Sequence, residues 1–298
     1  MILITGGAGF IGSHIADVLT KNNYKTIIAD NLSTGKKENI NSDSIFYNID
    51  IKNYNDIEDI FSKHDIEYII HLAAQVSVPN SIRNPINDAY ENIIATLNII
   101  ELSKKYNVKK IIVSSTAAVY GIPNTLPIKE SHSVNPISYY GLSKLTMEKY
   151  IMLSNLNYII CRFSNVYGPR QTPHGEAGVV SIFIDNALNN KDLNIFGDGN
   201  QTRDFIYVED IAFIFLKLIE NNISNEILNI STNSSITINE LAERIIKISN
   251  KNIKINYFDK RDGDIEHSIL DNTRLLNIMD IKFTNINDGL YKLFKTLI

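Results

Sequence analysis

"ITGGAGFIGSH", residues 4–14, decides the fold. It follows the apolar run "MILIT" and opens the helical pattern "GSHIADVLTKN". Gly6, Gly9 and Gly12 recur at three-residue spacing. Glycine there permits a tight turn, close approach of a pyrophosphate, and close packing of helix on strand. The amino end of the helix offers N–H groups and a favourable dipole to the anion. Asp30 ends the second apolar run, "KTIIAD". A carboxylate at that place accepts hydrogen bonds from adenosine ribose hydroxyls and repels a 2′-phosphate, which favours NAD over NADP.

Outward from this turn, "SIFYNID", "EYIIHLAA" and "KKIIVSS" continue the series of short β-branched runs, with helical patterns such as "NDIEDIFSKH" between most of them. Runs this apolar suit strands buried on both faces of a parallel sheet. The alternation predicts an α/β fold, a doubly wound parallel (Rossmann) sheet. "DAYENIIATLNIIELSKKYN" is the longest helical pattern, too apolar for one narrow stripe. Past about residue 165 the rhythm changes. "NVYGPRQTPHGEAG" and "IFGDGNQTRDF" are turn-rich, "VVSIFIDNALNN" and "TINELAERIIKIS" read as helices, and "EILNIS" and "NIKINYF" as strands. The reading is a Rossmann domain over 1–165, to which later segments return, and a smaller α/β substrate lobe over 166–298.

Net charge is −4, from 29 basic and 33 acidic residues, and the basic residues are dispersed. That excludes the clustered basic face of a nucleic-acid binder. The apolar runs are too short for a membrane span. No charged leader precedes the first strand, so a cytoplasmic location is expected. The single Cys161 forbids an internal disulfide and reads as a core residue. No histidine pair has metal-ligand spacing, so no metal is expected, and His14 and His71 read as structural.

"YYGLSK", residues 139–144, sets two tyrosines before a lysine. A tyrosine with pKa ~10 is a poor base at neutral pH. A lysine one helical turn away lies on the same face and lowers that pKa by its charge. Tyr140 has Lys144 at this offset, whereas Tyr139 has Ser143. Thr116, in "VSSTAAVYG" at the end of the fifth run, can hydrogen-bond the reacting oxygen of a substrate.

With "TGGAGFIGSH", "DNLSTGKKENI", "HLAAQVSVPNS", "VSSTAAVYG", "YYGLSK", "RFSNVYGPRQ" and "FGDGNQTRDFIYVEDIA" in this order, the chain resembles the extended short-chain dehydrogenases/reductases. More narrowly, it resembles the sugar-nucleotide epimerases of the UDP-glucose 4-epimerase type. The resemblance implies NAD as a retained cofactor. It places Gly6, Gly9, Phe10, Ile11 and Gly12 at the dinucleotide, Asp30 and Asn31 at the adenosine ribose, and Asp50 and Ile51 beside the adenine. Ala73, Ala74 and Asn92 would line the cofactor's path, and Tyr167 would lie near the nicotinamide. Thr116, Tyr140 and Lys144 match the catalytic triad, and Lys144 would also hold the nicotinamide ribose. For a UDP-sugar substrate it assigns Asn165 to a contact with the sugar nucleotide, Thr116 and Tyr140 to the reacting sugar oxygen, Arg203 and Arg261 to the diphosphate, and Asp264 to the nucleotide ribose. Ser268 would border the C2 substituent. Arginine's fixed fork of donors suits phosphate oxygens.

The implied reaction is inversion at C4 of a UDP-hexose through a 4-keto sugar, with Tyr140 as base. UDP-glucose/UDP-galactose is the default pair; an N-acetylhexosamine pair, alone or in addition, is the alternative, since serine at 268 leaves room. UDP-uronic acid epimerisation or decarboxylation ranks lower. A 4,6-dehydratase ranks low too, because the Asp-Glu pair that follows the threonine in dehydratases is here Ala117 and Ala118. A non-catalytic NAD-binding protein is the reading from another class, disfavoured by the intact triad. The resemblance also implies a homodimer, joined through the helix over residues 90–106 and the helix beginning near Tyr140.

Overall fold

The computed structural model describes residues 1–173, 178–260 and 265–297. In chain order the elements are β1 Ile2–Thr5, α1 Phe10–Lys21, β2 Thr26–Asp30, β3 Ile45–Asn48, α2 Tyr54–Lys63, β4 Tyr68–His71, α3 Val78–Arg83, α4 Pro85–Ala89, α5 Ala95–Lys105, β5 Lys110–Thr116 and α6 Tyr139–Leu153. There follow β6 Tyr158–Phe163, β7 Asn165–Tyr167, α7 Val179–Leu188, β8 Leu193–Phe196, β9 Thr202–Tyr207, α8 Val208–Glu220, β10 Glu226–Ile230, β11 Ser235–Thr237, α9 Ile238–Ser249, β12 Ile255–Phe258, β13 His267–Ser268, α10 Thr273–Ile278 and α11 Ile286–Lys295.

The five apolar runs become β1 to β5, paired in parallel. They belong to a seven-stranded sheet of order β10-β6-β5-β4-β1-β2-β3. The first six strands therefore take the doubly wound order 3-2-1-4-5-6, which reverses between β1 and β4. Ligands of such sheets bind beyond the carboxyl ends of the strands at that reversal. The turn after Thr5 and the loop after His71 lie at those ends. Every residue of β1 and β2 is buried, as strands covered on both faces require.

The chain divides into two compact units. The first comprises Met1–Gly121, Ser133–Arg162 and Ile211–Leu228. One layer of its core joins Leu3, Ile27, Ile69 and Ile111 of the sheet to Ile57, Ile60, Ile99 and Ile151 of α2, α5 and α6. The second comprises Ile122–His132, Phe163–Asp210 and Asn229–Ile298. Here β11, β9 and β13 form a small sheet to which β7 adds beside β9, and β12 pairs with β8. Its core gathers Tyr167, Phe183, Tyr207, Leu241, Ile245 and Leu290.

The long pattern over 88–107 is not one regular helix. Tyr90–Ile94 forms a π-turn between α4 and α5. Asn92 lies in it, buried, and its side chain bonds outside the helix. A π-bulge often marks a functional site.

Candidate active site

In the first unit the glycine turn is built largely by contacts within the protein. Gly6 has φ +70°, and a Cβ there would lie 2.8 Å from the Ala73 nitrogen. A Cβ on Gly12 would lie 2.3 Å from the Gly6 carbonyl oxygen. Gly9 differs: its Cβ would meet only the Gly6 oxygen, at 3.2 Å. Packing inside the chain thus demands glycine at 6 and 12 but hardly at 9. The open space at Gly9, with no side chain capping α1, fits a pyrophosphate laid against the helix amino end.

Gly12→Ala is accordingly expected to cost ~1–3 kcal/mol of stability by overpacking. Gly9→Ala should cost less than ~1 kcal/mol yet strip the bound cofactor. Thermal melts beside the NAD content of purified protein distinguish the two; full NAD content in Gly9→Ala would remove the dinucleotide from this turn.

Asp30 is buried and holds the turn in place. Its Oδ2 accepts from the Ala8 N–H at 3.0 Å, and its Oδ1 from the Leu32 N–H at 2.8 Å. Each carboxylate oxygen keeps a further lone pair for a hydroxyl donor. Asn31 and Asp50 are brought together, with the amide donating to the carboxylate at 3.3 Å. Ile51 is buried in the core beside them.

Thr116 ends β5, and its Oγ1 accepts from the Ala118 N–H at 3.1 Å, starting a 3₁₀ turn over Ala117–Val119. Ser138 caps α6, its Oγ accepting from the Gly141 N–H at 3.1 Å. The first turn of α6 rests on the 3₁₀ turn: a Cβ at Gly141 would fall 2.7 Å from the Ala118 carbonyl oxygen. This contact sets Tyr140 beside the segment that carries Thr116. Tyr140 is partly exposed, while Lys144, one turn on, is buried. Burial depresses the Lys144 ammonium to about 8, opposed by the nearby charges of Glu148 and Asp88. Tyr139 is half exposed and points off this stripe.

Several residues that the sequence reading passed over stand behind this stripe. Glu148 and Arg162 form a buried ion pair, with Arg162 Nε 3.0 Å from Glu148 Oε1 and Nη2 2.6 Å from Oε2. Ser115 donates to the same carboxylate. Glu148 extends the Tyr140, Lys144 series by one more turn, a signal present in the sequence. Arg162 is found only through the fold. Ala73 and Ala74 lie in the loop after β4, and Asn92 brackets that loop. Its Oδ1 accepts from the Gln75 N–H at 2.8 Å, and its Nδ2 donates to the Gln75 carbonyl at 3.0 Å.

In the second unit β9 lies between β11 and β13 and also pairs with β7. Ser268 pairs in register with Arg203, and Asn165 with Phe205. The Asn165 amide donates to the Asp204 carbonyl at 3.3 Å. The Arg203 guanidinium donates to the Thr202 and Glu266 carbonyls at 2.9 and 3.3 Å. Tyr167 is a core residue of this unit. It is 1% exposed, with its ring against Phe205 and Tyr207. Arg261 and Asp264 fall outside the described residues.

Asp204 holds this sheet together. Its Oδ1 accepts from the Thr232 N–H and hydroxyl at 3.1 and 2.9 Å, and its Oδ2 from the Leu270 N–H at 3.4 Å. Burial outweighs these bonds and lifts its carboxyl to about 6. A carboxyl whose folded pKa is raised contributes stability that is complete below its unfolded pKa, ~3.9, and lost as pH rises through 6. Asp204→Asn should therefore flatten the pH dependence of stability between about pH 4 and 7, by up to ~3 kcal/mol. Urea melts across that range check it; an unchanged slope would mean that Asp204 is not the group responsible.

A glycine turn at the sheet's switch point, followed two strands along by a threonine and a Tyr-x-x-x-Lys helix, defines a Rossmann protein of the short-chain dehydrogenase/reductase class. The chain belongs to the NAD-dependent epimerase/dehydratase family, whose profile matches residues 2–231; its cofactor is NAD. A protein of Methanocaldococcus jannaschii described as a putative UDP-glucose 4-epimerase is 50% identical over 276 residues, covering 91% of this chain and 90% of that one. The crystal structure of UDP-glucose 4-epimerase from Thermotoga maritima, with UDP-glucose, superposes with a TM-score of 0.96 at 42% identity, covering 99% and 98% of the two chains. A UDP-N-acetylglucosamine 4-epimerase from Methanobrevibacter ruminantium, in complex with UDP-N-acetylmuramic acid, gives a TM-score of 0.94 at 37% identity over 99% and 97%.

Proposed function

We propose that this protein is an isomerase that inverts C4 of a UDP-hexose, interconverting UDP-glucose and UDP-galactose. The observation that carries the reading is the catalytic stripe itself. Tyr140 and buried Lys144 sit beside a threonine turn that continues as Ala117 and Ala118, with no acid pair for dehydration. Tyr140 takes the proton of the sugar 4-hydroxyl, helped by the charge of Lys144. Thr116 hydrogen-bonds the same oxygen. Bound NAD supplies the hydride acceptor and donor at C4. Tyr140 then returns the proton to the 4-oxygen of the inverted sugar. Asn165, Arg203, Arg261, Asp264 and Ser268 are assigned to the substrate, the arginines to its diphosphate. Grip on the diphosphate supplies binding energy without fixing the face of the sugar.

A second substrate pair, UDP-N-acetylglucosamine and UDP-N-acetylgalactosamine, is favoured by the small side chain at Ser268 and by the likeness to the Methanobrevibacter enzyme. Incubation with UDP-galactose and UDP-N-acetylgalactosamine, singly and in competition, tests both. An epimer of unchanged mass is expected. Loss of water or of CO2 would make the protein a lyase, and no conversion of any UDP-sugar would leave a binding protein.

The enzyme is further proposed to act as a cytoplasmic homodimer. No helix among the described residues is long and apolar enough to cross a membrane. Tyr90 and Ile94 of the π-turn, and Leu142, Tyr150 and Leu153 of α6, expose apolar side chains, Leu153 to 80%. These are the helices expected to pair between subunits, and a stripe of this kind suits burial against a second copy.

A further inference from the structure

His71 ends β4, is buried, and makes a hydrogen bond from each ring nitrogen. Its Nδ1 lies 2.7 Å from the Thr5 hydroxyl, and its Nε2 lies 2.9 Å from the Thr96 hydroxyl. The protons can be assigned by counting. Thr5 Oγ1 accepts the Ala73 N–H at 3.3 Å and shares the Leu72 N–H, at 3.3 Å, with the Thr5 carbonyl, at 3.1 Å. With these donors aimed at its oxygen, its own proton goes to Nδ1. The Thr96 hydroxyl donates to the Asn92 carbonyl at 2.7 Å, so it accepts from Nε2–H. Only the neutral Nε2–H tautomer satisfies every partner. An imidazolium would have to donate to a Thr5 oxygen that already faces two N–H donors. The ammonium of Lys144 also disfavours protonation, as burial does more strongly.

The two ends of this relay reach the two halves of the catalytic region. Thr5 immediately precedes the glycine turn. Asn92 brackets the loop that begins at Ala73 and donates to the Ser143 hydroxyl at 3.0 Å. Ser143 in turn donates to the Tyr140 carbonyl at 3.0 Å. One directional series of bonds thus runs from the end of β1, through His71 and the π-turn, to the backbone of the proposed base.

We propose that His71 is a positioning residue: as a neutral imidazole with its proton on Nε2, it ties the cofactor turn and the loop after β4 to the π-turn that holds the Tyr140 helix. This rests on the reading of Tyr140 as the base. His71 acts through its bonds to Thr5 and Thr96, so its loss acts on geometry. A misplacement of about 1 Å at a reacting centre can cost roughly 10²-fold.

Thr96→Val keeps shape, removes the acceptor of Nε2–H and frees the Asn92 carbonyl. In the NAD-loaded protein it is expected to lower kcat by about 10-fold or more. KM for UDP-galactose should stay within about twofold, because no substrate contact is lost. NAD retained through gel filtration should fall as well. His71→Gln can still accept from Thr5 and donate to Thr96, and should recover most of the kcat that His71→Leu loses. Wild-type kcat and NAD content in Thr96→Val, or His71→Gln no better than His71→Leu, would overturn the proposal. So would a loss seen in KM alone. If His71→Leu does not fold, Thr96→Val and His71→Gln against wild type decide the matter. Failure of the wild type to epimerise any UDP-sugar would count against the proposed activity, while NAD retention in Thr96→Val would still report on the relay.

Discussion

Tyr140→Phe is expected to lower kcat by roughly 10²–10⁴-fold, the range of a lost general base, while folding and NAD content stay at wild-type levels. The phenol is needed because a 4-hydroxyl proton must leave as C4 is oxidised. The neighbouring tyrosine cannot replace it: Tyr139 is half exposed and has Ser143, not a lysine, one turn on. Lys144 is buried with its ammonium depressed to about 8, so at neutral pH it is still mostly charged and, one helical turn from Tyr140, favours a tyrosinate. Raising the pH through 8 in the free protein discharges Lys144, and the support for Tyr140 declines with it. Tyr140 is partly exposed, so removing its hydroxyl should change stability by less than ~0.5 kcal/mol. A coupled assay for UDP-glucose, circular dichroism and the NAD content of the same preparation check the three parts. Turnover within tenfold of wild type would sink the assignment of the base.

The parts of the site legible in the sequence are those set by local spacing. Gly6 to Gly12, Asp30 and the offset between Tyr140 and Lys144 each lie within one turn or at the end of one strand, and the five apolar runs mark five of the seven strands of the sheet. Contacts that join distant segments left weaker marks. His71 reads as a lone core histidine because its partners Thr5 and Thr96 are 66 and 25 residues away. The resemblance singles out Asn92, while the periodic pattern makes it one residue of a long helix; its bonds to Gln75 and Ser143 appear only in the fold. The resemblance alone places Tyr167 near the nicotinamide, and its packing is a matter of the fold. On β7 a two-residue step returns the side chain to the same face, yet Asn165 is half-buried and Tyr167 is inside. The helix α8 is apolar on most sides, and only a narrow stripe at Glu209, Phe213 and Glu220 is exposed.

Arg162→Met should be the most destabilising of the substitutions considered, by ~3–5 kcal/mol, the cost of leaving one partner of a buried pair without the other. The side chains of Arg162 and Glu148 are only 4% and 1% exposed. Two parallel bonds join them, Ser115 supplies a third donor to the carboxylate, and the guanidinium stacks 4.8 Å from the centroid of the Tyr120 ring. Glu148→Leu alone should cost a comparable amount by stranding the arginine. The double variant should regain much of the loss, since an apolar pair of similar volume can match a buried ion pair. A double-mutant cycle in urea measures that coupling. Activity should not follow stability. Glu148 is also the largest charge supporting the Lys144 ammonium against burial. Without it, Lys144 discharges at lower pH, and the alkaline limb of kcat should move toward neutrality even in the refolded double variant. Coupling of Glu148 to Arg162 alone would restore both stability and the pH profile. A variant that regains stability with its alkaline limb displaced would show that the same carboxylate serves the fold through Arg162 and the reaction through Lys144.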